Sequence, residues 1–163
     1  LHILGFFRQS SSPTMEAAPG VEHVAEAIKS LYHDPDPKRK EEASKWLNQL
    51  QRSVFAWTIS DQLLQRQMDV ETCYFAAQTM RSKIQYSFHE LPPEAHVSLR
   101  NSLLDHLTGL TPATSQWGSL LMSASVSVFI VHLGKSYTHS EISFFVQLAL
   151  LLEFVNAQWF DRT

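Results

Sequence analysis

The groups able to do chemistry in this chain are eight histidines, one cysteine and scattered hydroxyls and carboxylates. The histidines are His2, His23, His33, His89, His96, His106, His132 and His139. None of them forms the H-E-x-x-H pair that puts two imidazoles on one face of a helix around zinc. His89 and His96 flank a Pro-Pro turn with no third ligand in sequence, so surface or capping histidines are expected. The single Cys73 excludes an intramolecular disulfide and any multi-cysteine zinc site. It lies among Thr72, Tyr74 and Ala77 on an apolar helix face, which reads as a small core residue rather than a nucleophile. There is no glycine-rich phosphate loop and no G-x-S-x-G elbow. Catalysis, a metal and a cofactor are therefore not expected, and what remains is recognition by surface side chains.

Two sets of polar positions stand out for that role. Tyr74, Gln78, Arg81 and Gln85 recur at helical spacing as a stripe beside an apolar face. Lys40, Lys45 and Asn48 offer further polar positions one helix pair earlier. The run Lys38-Arg39-Lys40 is followed at once by Glu41-Glu42, which reads as a helix surface with i,i+3 or i,i+4 pairing rather than a basic signal.

The elements that must position these residues are all helical. Val21, Val24, Ile28, Leu31 and Tyr32 make one apolar face of a helix over 21–32. Asp36 caps the next, with Pro37 at its first position, where a missing N–H costs nothing. That helix, 38–51, carries Ala43, Trp46, Leu47 and Leu50. Ser53 is expected to cap a third over 53–66, with Val54, Trp57, Ile59, Leu63 and Leu64. Asp69 caps a long fourth helix running to about 88, with Glu71 at the positive end of its dipole. Cys73, Ala77, Met80, Ile84 and Phe88 line one stripe there, and Phe75, Ala76 and Tyr86 place burial on more than one side. Leu91-Pro92-Pro93 breaks the chain before a fifth helix over 94–107 with Val97, Leu103, Leu104 and Leu107.

The helices come in pairs. Ala43, Trp46, Leu50 and Gln51 are echoed 34 residues later by Ala77, Met80, Ile84 and Gln85, which points to a helical repeat of about 35–45 residues. The expected fold is an all-α, right-handed superhelical α-solenoid of HEAT-like hairpins, interrupted in its third repeat.

Composition divides the chain further. Of 163 residues, 44% are hydrophobic and 18% charged, with a formal charge of −3. That charge argues against an electrostatic nucleic-acid binder, and the apolar content against a disordered chain. Residues 15–110 hold 23 charged residues in 96, whereas residues 111–163 hold five, and none lies between Asp105 and Lys135. Three pieces are expected. They are a leader over 1–14 that is not native, with Met15 as the natural start, a repeat-containing body over 15–110, and a divergent apolar tail over 111–163. The leader's seven-residue apolar run has no basic n-region and no A-x-A pattern, so it is not a secretory signal. Three readings of the tail stay open. It is an alternative or retained non-coding C-terminus, a helix pair capping the interrupted solenoid, or a membrane hairpin. Its apolar runs fall short of the ~18–20 residues that span a bilayer.

The stretches LYHDPDP (31–37), ASKWLNQLQRSV (43–54), ISDQLLQ (59–65), DVETCYFAAQTM (69–80), KIQ (83–85) and ELPPEAHVSLRNSLLDHL (90–107) carry a specific resemblance. Over about residues 21–107 the chain resembles the extreme N-terminus of importin-β-family nuclear import receptors of the transportin-SR type, which carry SR splicing factors into the nucleus. The resemblance implies a long HEAT-repeat superhelix whose first repeats bind Ran-GTP, chiefly through inner helices, with SR-protein cargo held further along the longer parent. It further implies residence in cytoplasm and nucleus. Lys40, Lys45, Asn48, Tyr74, Gln78, Arg81 and Gln85 are the positions expected to face Ran. The alternative reading is a membrane-associated helical protein in which the tail is the working part.

Overall fold

The computed structural model describes residues 17–109, which lie within one compact unit. The leader over 1–14 and the tail over 111–163 lie outside the described residues. Among the described residues the fold is all-α: α1 (Val21–His33), α2 (Pro37–Arg52), α3 (Phe55–Arg66), α4 (Val70–Tyr86) and α5 (Pro93–Thr108), with a short 3-10 turn at Phe88–Glu90. α1 packs on α2 and α3 on α4 as two successive hairpins, and α5 opens a third element against α3. This is the HEAT-like pairing expected from the spacing of apolar residues.

Two of the expected caps are in place. The Asp36 carboxylate accepts from the Lys38 N–H at 3.0 Å, with Pro37 at the first helical position of α2. The Asp69 carboxylate accepts from the Thr72 N–H at 2.8 Å. Each satisfies an amide that the first helical turn leaves without an intrahelical acceptor. Burial alone would push the Asp69 carboxyl up, but hydrogen bonding, chiefly from Thr72 with smaller help from its own amide and Glu71, together outweighs it and holds the group below its ordinary range. A depressed folded-state pKa stabilises the fold above the unfolded pKa, and that contribution is lost as pH falls through the folded value. Asp69→Ala is therefore expected to cost about 1 kcal/mol at neutral pH. Urea unfolding of both chains at several pH values checks this: the gap must narrow below about pH 4.

The third cap differs. Ser53 ends α2 instead of starting α3, and its hydroxyl donates back to the Leu50 carbonyl at 2.7 Å. Val54 precedes α3 in a helical conformation without a side-chain cap. The turn is so tight that Ala56 and Trp57 N–H groups reach the Ser53 and Val54 carbonyls. Serine can serve either end of a turn because it both donates and accepts. α3 ends at Gln67, whose φ of 44° is left-handed, the usual way to satisfy terminal carbonyls but without the glycine that favours it.

The core runs along α3. Ala56, Trp57, Ile59, Leu63 and Leu64 are buried, and Trp57 is wholly so. α3 meets α1, α2, α4 and α5, so its burial extends round the helix and takes in Thr58, Ser60 and Asp61. Val21, Val24 and Ile28 of α1, and Leu47 and Leu50 of α2, complete the first hairpin's share. α4 is buried on more than one side as expected, through Cys73, Phe75, Ala76, Ala77, Met80 and Ile84. Three expected core residues are instead exposed: Tyr32 (43%), Val97 (52%) and Tyr86 (78%). Tyr32 lies in the last turn of α1, where the chain is already leaving for α2. α4 stops at Tyr86, two residues short of the expected end, so Tyr86 has no further turn beneath it. On α5 the buried positions are Ala95, Leu99 and Leu103, a stripe that excludes Val97.

Candidate functional site

Tyr74, Gln78, Arg81 and Gln85 fall at i, i+4, i+7 and i+11 along α4. At 100° per residue they lie within about 60° of one another. Tyr74, Gln78 and Gln85 are exposed, and Arg81 is half-buried at the edge of the strip. The Arg81 Nε is buried and donates no hydrogen bond among the described residues. The core residues Ala76, Met80 and Lys83 lie on the other side of the helix, so the strip is held on a helix anchored from behind. One phenol, two amides and one guanidinium make a surface without clustered charge. Tyrosine and arginine are enriched at protein–protein interfaces, whereas lysine and glutamate are depleted.

The three positions on α2 do not form such a strip. Lys40 and Lys45 are five residues apart, about 140° round the helix. The Lys40 ammonium turns back to donate to the Tyr32 carbonyl at 3.2 Å. Lys45 pairs with Glu41 one turn earlier at 2.6 Å. That pairing raises the Lys45 pKa and lowers that of Glu41, chiefly through the shared hydrogen bond. The Asn48 amide donates to the Ser44 carbonyl at 2.9 Å. Lys45 and Asn48 are nevertheless exposed on one flank of α2. α2 is tied to α4 by the Gln51 amide donating to the Thr79 hydroxyl at 2.9 Å.

Two polar clusters lie outside what the pattern of residues predicts. Lys83, 3% exposed, pairs with Glu90 of the 3-10 turn at 2.5 Å. The same Glu90 oxygen accepts from the Trp57 indole N–H at 3.2 Å, and the Lys83 ammonium sits 5.7 Å from the Trp57 ring centroid. The cluster joins α3, α4 and the link to α5. A lysine at helical spacing from Ala76 and Met80 is the available signal.

The second cluster joins α3 to α5. His106, expected at the surface, is buried, because it follows Leu99 and Leu103 on the core stripe of α5. Its Nε2 lies 2.8 Å from Asp61 Oδ1. The Ser102 hydroxyl donates to the same oxygen, and the Gln65 amide donates to Asp61 Oδ2 at 2.9 Å. A cavity of about 500 Å³ beside it is lined in part by Gln65, Asn101, Ser102 and His106. The residue types are those of a hydrolase triad, but the connections are not. In a triad the carboxylate holds one imidazole nitrogen and the serine faces the other. Here Ser102 and His106 Nε2 both converge on one carboxylate oxygen, Ser102 Oγ being 3.2 Å from that same Nε2. The serine proton is directed at the carboxylate, so the arrangement serves as a clasp and not a relay.

Cys73 is buried, and burial together with the nearby Asp69 charge pushes its thiol up, away from thiolate chemistry. Among the described residues no group of histidine, cysteine and carboxylate side chains could hold a metal ion. No helix among them is long and apolar enough to cross a membrane.

The family match falls on α2 to α5. Residues 43–108 match the family model for the importin-beta N-terminal domain. Transportin MOS14 of Arabidopsis thaliana is 44% identical over 81 residues, 49% of this chain and 8% of that protein. Importin-13 of Homo sapiens is 39% identical over 88 residues, 54% of this chain and 9% of that protein. An uncharacterized protein of Schizosaccharomyces pombe, C11G11.07, is 36% identical over 124 residues, 76% of this chain and 13% of that protein. The chain thus spans about a tenth of the length of these curated relatives.

Proposed function

We propose that this chain, whose residues 43–108 match the importin-beta N-terminal domain model, supplies the Ran-GTP-contacting first repeats of a nuclear transport receptor. The observation that carries the proposal is the strip of exposed Tyr74, Gln78 and Gln85 with half-buried Arg81 on α4, the second helix of the second hairpin. Lys45 and Asn48, exposed on one flank of α2, and Lys40, turned to the Tyr32 carbonyl, are proposed as further contacts. Such receptors move between cytoplasm and nucleus. Cargo of the SR splicing-factor type is proposed for the rest of such a receptor, because the chain spans only about a tenth of its relatives' length.

The test is a pull-down of the full 163-residue chain against Ran loaded with GTP or GDP. Preferential retention of the GTP form is expected. Tyr74→Ala combined with Arg81→Glu should weaken it by about tenfold or more, since truncating a central aromatic or arginine anchor commonly costs about 1–2 kcal/mol or more. Equal retention of both nucleotide forms, or no effect of the double substitution, overturns the assignment of this face.

A further inference from the structure

Arg81 differs from the other cations of the fold in how it is satisfied. Lys40, Arg81, Lys83 and Arg100 are the lysines and arginines among the described residues that are withdrawn at least partly from solvent. Three of them have partners. Lys40 donates to the Tyr32 carbonyl, Lys83 pairs with Glu90, and the Arg100 guanidinium donates to the Asn101 side-chain oxygen. Arg81 makes no hydrogen bond and no ion pair among the described residues, and its Nε is closed off from water. Lys29, Lys38 and Arg52 are exposed, so water serves any donor they leave free.

A guanidinium carries five N–H donors in a rigid fork and accepts nothing. A buried donor without an acceptor destabilises the fold that holds it. Lys83, two residues further along α4, shows how the same helix satisfies a cation that serves the core. Arg81 lies instead on the strip, between Gln78 three residues before it and Gln85 four residues after it. Residues at those spacings are neighbours on a helix surface, and both glutamines are exposed. Their amides can donate beside the guanidinium. The strip thus offers several donors around a single positive charge, which matches one carboxylate. A nucleic-acid backbone is served by clustered cations, and Arg81 is the strip's only one.

Resting on the reading of the strip given above, we infer that Arg81 is a receptor for one aspartate or glutamate carboxylate on the surface of the partner GTPase. The free chain holds the guanidinium unsatisfied, and the partner supplies its acceptor. Turned outward, the fork presents Nε–H and one Nη–H side by side to the two carboxylate oxygens. A lysine ammonium is a point charge and cannot reproduce that pairing. Arg81 therefore adds to affinity while taking from the stability of the free chain, a trade that is common where function sets the residue.

The experiment measures two quantities on the full 163-residue chain: its urea midpoint alone, and its affinity for GTP-loaded Ran. Arg81→Met keeps the apolar stem and removes every donor. Its midpoint should equal or exceed that of the unaltered chain, and its affinity should fall at least tenfold. Arg81→Lys should stay at least fivefold weak. Arg52→Met removes an exposed arginine of α2 and should leave affinity within about twofold. The acidic residues of Ran are then changed singly to their amides. One of these changes should weaken binding to the unaltered chain at least tenfold and have no further effect on Arg81→Met, the signature of a direct pair. A lower midpoint in Arg81→Met makes Arg81 a structural residue and overturns the inference. Full affinity in Arg81→Lys overturns it too, as does a set of Ran variants none of which loses its effect in Arg81→Met. If the unaltered chain does not bind GTP-loaded Ran, the reading of the strip fails and this inference falls with it. Binding that survives Arg81→Met intact overturns the inference alone.

Discussion

Replacing Glu90 with alanine lowers the stability of the full chain by about 3 kcal/mol at neutral pH, read as a fall in the urea midpoint with little change in slope. Glu90 receives both the Lys83 ammonium and the Trp57 indole N–H. Lys83 is 3% exposed and the Trp57 ring wholly buried, so neither donor has water to turn to when the carboxylate is removed. The cost is the penalty of an unpaired buried charge more than the strength of the pair itself. A second substitution separates these. Lys83→Met keeps most of the side-chain volume and removes the charge, so in the Glu90→Ala background it should recover at least half of the loss. If Lys83→Met leaves the Glu90→Ala chain as unstable as before, Glu90 acts through the geometry of the 3-10 turn and not through the buried ammonium. The Glu90 side chain is 23% exposed, which keeps the expected cost at the lower end for buried pairs.

The same cluster marks the boundary of what residue spacing can tell. Asp36 and Asp69 are legible because a cap needs one residue type at one position before an apolar period, and both are found doing that. The α4 strip is legible because exposure follows from the same period as burial, shifted round the helix. Its relation to any partner is a separate question of chemistry. Lys83, Asp61 and His106 escape such a reading for a common reason. Each is polar but occupies a core position, and its partner lies on another element 7, 45 and 45 residues away respectively. One-dimensional periodicity assigns such residues to solvent, because it contains no information about which element supplies the compensating group. A titratable residue in register with leucine or alanine, as His106 is with Leu99 and Leu103, is the usable warning. Ser53 misleads in the opposite way. Its neighbours fit the start of a helix, but a hydroxyl three residues after Leu50 can reach back as easily as forward, and only the tightness of the turn decides between them.

The clasp between α3 and α5 yields the second large expected effect. His106→Ala removes one of three donors from the Asp61 carboxylate, leaving Ser102 and Gln65. Asp61 is 3% exposed, so the lost partner is not replaced by bulk water. A loss of about 3 kcal/mol follows for a buried carboxylate deprived of one of its hydrogen-bond donors. The consequence is not spread evenly over the fold. Among the described helices α5 rests chiefly on α3, whereas α1 to α4 support one another as two hairpins. The apolar seam of α5 is short, with Ala95, Leu99 and Leu103 buried. The destabilisation should therefore appear as release of α5 before the two hairpins unfold, since local opening follows the weakest set of contacts. Amide exchange by mass spectrometry distinguishes the two. In His106→Ala, peptides from 93–108 should lose protection by two orders of magnitude or more, while those from α3 and α4 change much less. Ser102→Ala should show the same pattern at about tenfold, because it leaves the buried His106 partner in place. Uniform loss of protection across α1 to α5 would mean that the clasp holds the whole unit together, with α5 an integral part of its core instead of a third element that opens separately.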